Sequence, residues 1–172
     1  DLVVTALADG PLAEDERERA RIEAHRLAGL LGTLAAVPSI DAKELAAVLT
    51  LNVSAQAALV QAFDPMLRRS AGARVIGVTS SVGRKPRAYW GAYGASKAAF
   101  ETLLEAYGDE MAAISKVRVA ILDPGATRTK MRARAYPGED PASVKPPETV
   151  AARIADLAVA GFEPNHRERV ES

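Results

Sequence analysis

The chain has 172 residues, of which 48% are hydrophobic and 26% are charged, a composition typical of one globular domain. Its 22 basic and 22 acidic residues give a net charge of zero, so we expect no nucleic-acid partner. It contains no cysteine, and its two histidines lie far apart in the sequence, so we expect neither a disulfide nor a metal site.

We also expect no contact with a membrane. No run of apolar residues reaches the roughly 18 residues that a membrane-spanning helix needs. No signal-peptide pattern opens the chain. Together these absences predict a cytoplasmic location.

The first part of the chain predicts a strand, a helix and a loop. The apolar residues 2–7 (LVVTAL) indicate a short strand, and the charged residues 14–26 indicate an exposed helix. Residues 30–38 are apolar but contain Gly32 and Pro38, which favour the end of a strand followed by a loop.

A long helix follows, from Asp41 to about Arg69. Asp41 and Glu44 form a capping box, a pattern that begins many helices. Pro65 lies close to the end, where a proline kinks only the last turn. The predicted buried face, at helical spacing, consists of Leu45, Val48, Leu49, Asn52, Gln56, Leu59, Val60, Phe63 and Leu67.

The rest of the chain alternates strands with helices. In order, we predict a strand at residues 74–79, a helix at 93–111, a strand at 117–122, a loop at 132–146 and a helix at 147–160. Nearly continuous apolar strands that alternate with helices predict an α/β fold with a parallel sheet covered on both faces. We expect residues 1–172 to form a single domain.

Tyr93 and Lys97, in the pentapeptide YGASK, are the strongest chemical signal. Residues four apart lie on one face of a helix, so the two side chains are neighbours. An ammonium group within about 4–6 Å lowers the pKa of a tyrosine, which is ordinarily about 10. The pair predicts a tyrosine that exchanges a proton with a carbonyl or hydroxyl oxygen. Taken alone, the same spacing also occurs in ordinary surface pairs.

Ser80 follows the predicted strand at residues 74–79, and α/β folds place ligand groups at the carboxyl ends of strands. Its hydroxyl can hold a reacting oxygen against Tyr93, or Ser80 and Ser81 simply begin a turn. Asn52 is an amide within an apolar helix face, which is costly unless it is hydrogen-bonded. It either binds a water that links Lys97 to solvent, or it kinks or caps the helix.

The segment DPGATRTKM, from Asp123 to Met131, directly follows the next predicted strand. Pro124 and Gly125 force a turn in which the backbone comes close to a ligand. Backbone and hydroxyl groups beyond this turn are able to bind a carboxamide. By itself the segment indicates only a turn.

Together these elements resemble the short-chain dehydrogenase/reductase family. The matching residues are Asn52 in LNVSA, Ser80 in VTSS, the YGASK pentapeptide and PGATRTKM, in the order and at the separations usual in that family. The resemblance covers about residues 1–160. It implies a three-layer, doubly wound Rossmann-like fold, and an oxidoreductase that transfers hydride between NAD or NADP and a small carbonyl or alcohol substrate.

The resemblance also implies a role for each residue. Tyr93 would be the general acid in reduction and the base in oxidation, Lys97 would lower its pKa, and Ser80 would position the substrate carbonyl. Asn52 would complete a proton relay. The implied cofactor-binding residues are Tyr93, Lys97, Pro124, Gly125, Thr127 and Thr129, with Asp9 near the adenine. Residues 130–146 would form a mobile substrate lid, and the two long helices would form a homodimer or homotetramer interface.

The sequence departs from the family pattern before residue 30. The opening strand with its glycine-rich turn, T-G-x-x-x-G-x-G, is not found, nor is the acidic residue that selects NAD over NADP. Of the Asp-x-x-Asp at the adenine only Asp9 is present, because Ala6 occupies the first position. Only Ala28 and Gly29 remain of the N-N-A-G stretch. The predicted sheet is therefore incomplete at its N-terminus, and the sequence gives no preference between NAD and NADP.

Two explanations of this departure compete. The sequence is the ordered part of a longer chain, which we favour because a sheet without its central strand should not be stable. Alternatively, it is a natural truncation, a catalytically inactive binding or dimerisation module that cannot hold a dinucleotide. An epimerase or dehydratase also uses Tyr-x-x-x-Lys, but the short chain argues against one.

Overall fold

A computed structural model describes the backbone of residues 5–7 and the whole of residues 30–171. The strands are β1 (Thr5–Leu7), β2 (Arg74–Val78), β3 (Arg118–Asp123) and β4 (His166–Arg169). The α-helices are α1 (Ala42–Arg69), α2 (Gly91–Ile114), α3 (Lys130–Ala135) and α4 (Pro147–Ala160). Short 3₁₀ turns lie at Val37–Ser39, Ser81–Gly83 and Pro141–Ser143.

Helix α1 begins at the predicted cap. The Asp41 carboxylate accepts a hydrogen bond from the backbone N–H of Glu44 at 2.9 Å, which satisfies one of the free donors of the first turn. The Glu44 carboxylate does not complete the capping box, because it binds the backbone N–H and the hydroxyl of Thr33 at 2.6 Å each. Within the helix, Thr50–Ser54 forms one π-helical turn. Such turns often accompany functional residues, and this one carries Asn52.

Helix α1 is long and apolar enough to cross a membrane, by length and composition alone. An 18-residue window within it has a mean hydropathy of 1.5, and 17% of that window is buried. No such segment was predicted from the sequence, because Thr50 and Asn52 interrupt the apolar run. On its inner face, Asn52 and Gln56 are buried beside Val48.

The three longer strands form a parallel sheet in the order of the chain. Strands β2 and β3 are joined through α2, and β3 and β4 through α3 and α4. In the β2–β3 register, Val75 lies opposite Val119 and Val78 lies opposite Leu122. This alternation confirms the predicted α/β fold, and it brings the carboxyl ends of β2 and β3 side by side.

Alternate residues of the sheet pack into two separate layers. One face packs against α1 and α2 through Val75, Val119 and Ile121, with Leu67, Phe100, Leu104, Tyr107 and Met111 from the helices. The other face packs against α4 through Ile76, Val78, Ala120 and Leu122, with Val150, Leu157 and Ala158 from the helix. The fold is therefore the predicted helix–sheet–helix sandwich.

Strand β1 differs from the prediction in its direction. It pairs with β2 in the antiparallel sense, with Thr5 opposite Ile76 and Leu7 opposite Arg74. Antiparallel pairing still satisfies the backbone groups along this side of β2, which a free edge would leave unpaired. The predicted helix at residues 14–26 and the predicted cofactor residue Asp9 lie outside the described residues.

Two segments contain regular structure that was not predicted. No element was predicted after residue 160, but His166 begins β4, which pairs with β3. Polar residues form this strand because Arg167 pairs with Glu101 on α2, whereas Glu168 pairs with Arg153 on α4. The predicted loop at 132–146 overlaps α3, which is stabilised at its start by the Thr129 side chain.

Gly77 allows α2 to lie close against β2, and this predicts a cost for any side chain there. A Cβ at Gly77 would overlap the Leu104 side chain and lie 3.0 Å from Phe100. We expect Gly77→Ala to lower the free energy of unfolding by about 1–3 kcal/mol, because the core is overpacked. Urea unfolding measures this. The control is Gly138→Ala, whose Cβ meets nothing within 4 Å, and equal stability of the two variants would contradict the packing argument.

Candidate active site

The carboxyl ends of β2 and β3 and the first turn of α2 surround one cavity of about 290 Å³. Ser80 comes from the end of β2, Tyr93 and Lys97 come from α2, and Pro124 and Gly125 come from the turn after β3. The remaining lining residues are Val78, Thr79, Trp90, Thr127, Thr129, Met131, Arg132, Ala135, Tyr136, Pro147, Val150, Ala151 and Ile154. The structure thus brings together the predicted site residues Ser80, Tyr93, Lys97, Pro124, Gly125, Thr127 and Thr129.

Lys97 is held in a buried position beside Tyr93. Its side chain is 2% exposed, and Nζ donates a hydrogen bond to the carbonyl oxygen of Val78 at 3.2 Å. Nζ lies 5.6 Å from the ring centroid of Tyr93 and 5.7 Å from that of Phe100. The predicted proximity of Tyr93 and Lys97 is therefore present in the fold.

The pKa of Tyr93 departs from the sequence prediction. Burial raises it to about 12, the Asp123 carboxylate adds to the rise, and a side-chain hydrogen bond with Ser80 lowers it only in part. Burial also lowers the pKa of Lys97 to about 8, against the opposite influence of the Glu101 carboxylate. The predicted lowering of this pKa is contradicted in this structure, because desolvation by burial has the largest influence on the phenol. Tyr93 carries its proton at neutral pH.

Asn52 lies behind the cavity and is absent from its lining. Its Nδ2 donates to the carbonyl oxygen of Leu30 at 2.8 Å and to Oγ of Ser96 at 2.9 Å, and its Oδ1 accepts from the backbone N–H of Leu30 at 2.8 Å. Both of its N–H donors are therefore in use. The amide joins α1 to the residue before Lys97, and only the second lone pair of Oδ1 is left for the predicted water.

Glu101 connects several elements around the site, and it was not predicted from the sequence. It lies one helical turn beyond Lys97, its side chain is 6% exposed, and it accepts a hydrogen bond from the Thr79 hydroxyl at 2.5 Å. Its other oxygen accepts from Arg84 at 3.1 Å and from Arg167 at 2.8 Å. One carboxylate therefore connects β2, the turn after Ser80, α2 and β4. A glutamate on the inner face of α2 was the available signal.

The turn after β3 is fixed by its own side chains. Gly125 has a φ of +63°, which glycine adopts without strain, and its N–H donates to the Asp123 carboxylate at 2.9 Å. The Thr127 hydroxyl donates to the carbonyl oxygen of Pro124 at 3.1 Å. The Thr129 hydroxyl accepts from the N–H of Arg132 at 3.1 Å, so its own proton points elsewhere and is free for another acceptor.

The predicted lid, residues 130–146, is closed at its base. The N–H of Arg128 donates to the carbonyl oxygen of Lys145 at 2.8 Å, and Thr127 pairs with Lys145 as a parallel bridge. Both ends of the lid are therefore held beside the cavity.

Trp90 and Tyr136 form one side of the cavity, which we call the aromatic wall. Their ring centroids are 5.8 Å apart with planes at 32°, and the Trp90 ring also meets the Tyr93 ring edge-on at 6.0 Å. Trp90 lines the cavity, whereas its neighbour Tyr89 is 62% exposed. Tyr136 was missed, because nothing in the sequence pairs it with Trp90.

The profile of the short chain dehydrogenase family matches residues 26–140, which is well over half of the chain. The chain belongs to the short chain dehydrogenase family. Its lining residues Ser80, Tyr93 and Lys97 all lie within the matched segment.

Two curated relatives are similar over most of this chain. The uncharacterized oxidoreductase YciK of Escherichia coli K12 is 41% identical over 123 residues, covering 72% of this chain and 48% of YciK. The 2,3-dihydro-2,3-dihydroxybenzoate dehydrogenase of the same strain is 33% identical over 129 residues, covering 75% and 50% respectively. The chain therefore spans about half the length of the curated relatives it matches.

Solved structures of this family share the fold. A short chain dehydrogenase from Salmonella enterica serovar Typhi CT18 matches with a TM-score of 0.80 and 33% identity, covering 91% of this chain and 68% of that one. One from Escherichia coli CFT073, complexed with NADPH, matches with a TM-score of 0.78 and 35% identity, covering 84% and 60%. The Rossmann-like α/β fold expected from the sequence is confirmed.

The buried charge of Lys97 predicts a distinctive dependence of stability on pH. The folded state loses the proton near pH 8, whereas the unfolded chain keeps it until about 10.5. Between these values the unfolded state binds more protons, so stability rises with pH. Between pH 8 and pH 10.5, we expect the free energy of unfolding of the wild type to rise by about 1–3 kcal/mol relative to that of Lys97→Met. Urea unfolding at each pH measures this difference. The control is Lys116→Met, which replaces an exposed lysine. A difference between wild type and Lys97→Met that does not change with pH would contradict the buried charge.

Because Glu101 is buried, we expect its substitution to cost more stability than substitution of its neighbour Glu105. Both bind Arg84 and Arg167, but the side chain of Glu105 is 48% exposed. We expect Glu101→Gln to lower the free energy of unfolding by about 1–3 kcal/mol, because two guanidinium groups lose a buried charged partner. Glu105→Gln should change it by less than about 1 kcal/mol. Thermal and urea unfolding compare the two, and equal losses would show that burial is not the deciding factor.

Proposed function

We propose that the full protein is an NAD(P)-dependent oxidoreductase that interconverts a small-molecule carbonyl compound and its alcohol. The observation that carries this proposal is the cavity shared by the Ser80 hydroxyl, the Tyr93 phenol and the Lys97 ammonium at the carboxyl ends of two parallel strands. Ligands bind at this edge in open α/β sheets. The oxidoreductase relatives and the NADPH complex of a structural neighbour support the same reading.

The donors around the cavity fit a nicotinamide nucleotide. Lys97 uses one N–H for the Val78 carbonyl, which leaves two for the hydroxyls of a ribose. The free hydroxyl proton of Thr129 suits a carboxamide oxygen, while Pro124 and Gly125 offer a flat backbone surface beside it. We propose these residues with Thr127 as the nicotinamide site, and Asp9 as an adenine contact. The cofactor, when bound, supplies or accepts the hydride.

In the proposed reduction, the Ser80 and Tyr93 hydroxyls hold the substrate carbonyl oxygen. As the carbonyl carbon accepts a hydride, the Tyr93 O–H bond breaks and its proton passes to the oxygen, giving the alcohol. The raised pKa of Tyr93 keeps this proton in place at neutral pH until negative charge develops on the oxygen. The Lys97 ammonium then stabilises the tyrosinate, and a proton from solvent restores the phenol.

Asn52 and Glu101 act as positioning residues in this proposal. Asn52 fixes Ser96, and through it the turn of α2 that bears Lys97. Glu101 fixes Thr79, the residue before Ser80. The proton relay proposed for Asn52 uses its remaining Oδ1 lone pair to hold a water near Lys97.

The rival function, a catalytically inactive binding module, is less well supported. A binding module has no need of a lysine buried at a cost in stability beside a phenol. The homodimer or homotetramer contact through α1 and α2 stays a proposal, supported by the exposed Leu103 and Ile114 on α2. A cytoplasmic location likewise stays a prediction.

Replacement of the Tyr93 hydroxyl tests the proposed reaction. We expect Tyr93→Phe to lower kcat/KM by about 10²–10⁴-fold, because the general acid is lost. The Kd for NADPH should rise by no more than about tenfold, because at most one hydrogen bond to the cofactor is removed. Absorbance at 340 nm follows reduction of a panel of aldehydes, linear ketones and ring ketones by the full-length protein with NADH or NADPH. Tyr107→Phe, a tyrosine outside the cavity, is the control. Failure to bind either nucleotide, or full turnover by Tyr93→Phe, would refute the proposal.

A further inference from the structure

The substrate side of the cavity is chemically distinct from the side that faces the β3 turn. We propose that the substrate side selects uncharged, flat ring ketones and their alcohols, which stack on the aromatic wall of Trp90 and Tyr136. This inference rests on the proposed function.

The aromatic wall leads directly to the reacting phenol. The rings of Trp90 and Tyr136 lie 32° from parallel, and the Trp90 ring meets the Tyr93 ring at 62°. The wall therefore borders the reacting phenol, and in the proposal a flat ring stacked on it lies beside Tyr93. Aromatic surfaces favour flat partners in offset contact over flexible chains.

Tyr136 is held in this position from two sides. The Arg87 guanidinium donates to its hydroxyl at 3.3 Å, and the Arg132 guanidinium lies 4.0 Å from its ring centroid. The wall is thus a braced surface, and a ligand stacks on it without first having to order the ring.

The charge of Arg132 is already paired with a carboxylate, which disfavours an acidic substrate. Its Nε and Nη2 donate to the two carboxylate oxygens of Glu139 at 2.7 and 2.5 Å, a bidentate pair that also lowers the pKa of Glu139. The other cation among the described lining residues, Lys97, is buried and bonded to the Val78 carbonyl. A substrate carboxylate would therefore meet one cation that is already paired and one that is buried, which disfavours its binding here.

The remaining groups near the wall are apolar. Met131 and Ala135 of α3, with Pro147 of α4, complete this side of the cavity. In the proposed reaction the hydroxyls of Ser80 and Tyr93 together hold one oxygen of the substrate. The class that fits is a neutral ring that carries one carbonyl or hydroxyl at its edge.

Trp90 itself provides the measurement, because it is the only tryptophan of this chain. The full-length protein is titrated with 2-tetralone, with the linear 2-decanone of equal carbon number, and with 6-carboxy-2-tetralone. The signal is the fluorescence quench that Trp90→Phe abolishes, corrected for absorbance. We expect Kd for 2-tetralone to be at least tenfold lower than for either other ketone.

Substitution of Tyr136 tests the wall directly. Tyr136→Ala should weaken 2-tetralone binding about five- to tenfold and leave 2-decanone unchanged, whereas Tyr136→Phe, which keeps the ring, should retain wild-type affinity. Melting temperatures establish that each variant is folded. Equal affinity for all three ketones, tighter binding of the carboxylate, or indifference to Tyr136→Ala would overturn the proposal.

A separate NADPH titration, followed by nicotinamide fluorescence, distinguishes the two proposals. Ring-selective quenching that depends on Tyr136, without NADPH binding, supports the ring-selective cavity and refutes the oxidoreductase. NADPH binding with turnover of carbonyl compounds that show no preference for rings supports the oxidoreductase and overturns ring selectivity.

Discussion

The structure depends on the burial of one ammonium group. Lys97 reaches between the rings of Tyr93 and Phe100 to the end of β2, where it meets a single carbonyl oxygen. Desolvation of a cation is costly, and it is tolerated only where surrounding groups are fixed in complementary positions. Strand β2 and helix α2 must therefore keep a constant relation to each other, and this same relation places Ser80 opposite Tyr93.

Glu101 shows how stability and the site are coupled. Its carboxylate lies one turn below Lys97 and binds groups from the end of β2, from the following turn and from β4. Without it, each of these segments would still be connected along the chain, but their ends would have no common partner. The contacts that hold the sheet to α2 are thus also the contacts that hold the hydroxyl of Ser80 at the cavity.

The sequence predicted those parts of the site that follow from local geometry. Tyr93 and Lys97 were found because helical spacing alone makes them neighbours, and Ser80 because a strand ends before it. Glu101 was missed since its partners Arg84 and Arg167 lie 17 and 66 residues away in the sequence. Strand β4 was missed because ion pairs on its two faces replace the apolar alternation. The pKa of Tyr93 was predicted to be lowered, but burial raises it, and burial depends on the whole tertiary fold.

The closed base of the lid has a consequence for how this protein diversifies. Thr127, Arg128 and Lys145 clasp the two ends of the segment together beside the β3 turn. Insertions, deletions or exchanges between the clasped ends leave the backbone of β3 and α4 undisturbed. Natural variation is able to remodel this side of the cavity while Ser80 after β2 and Tyr93 and Lys97 on α2 stay where they are.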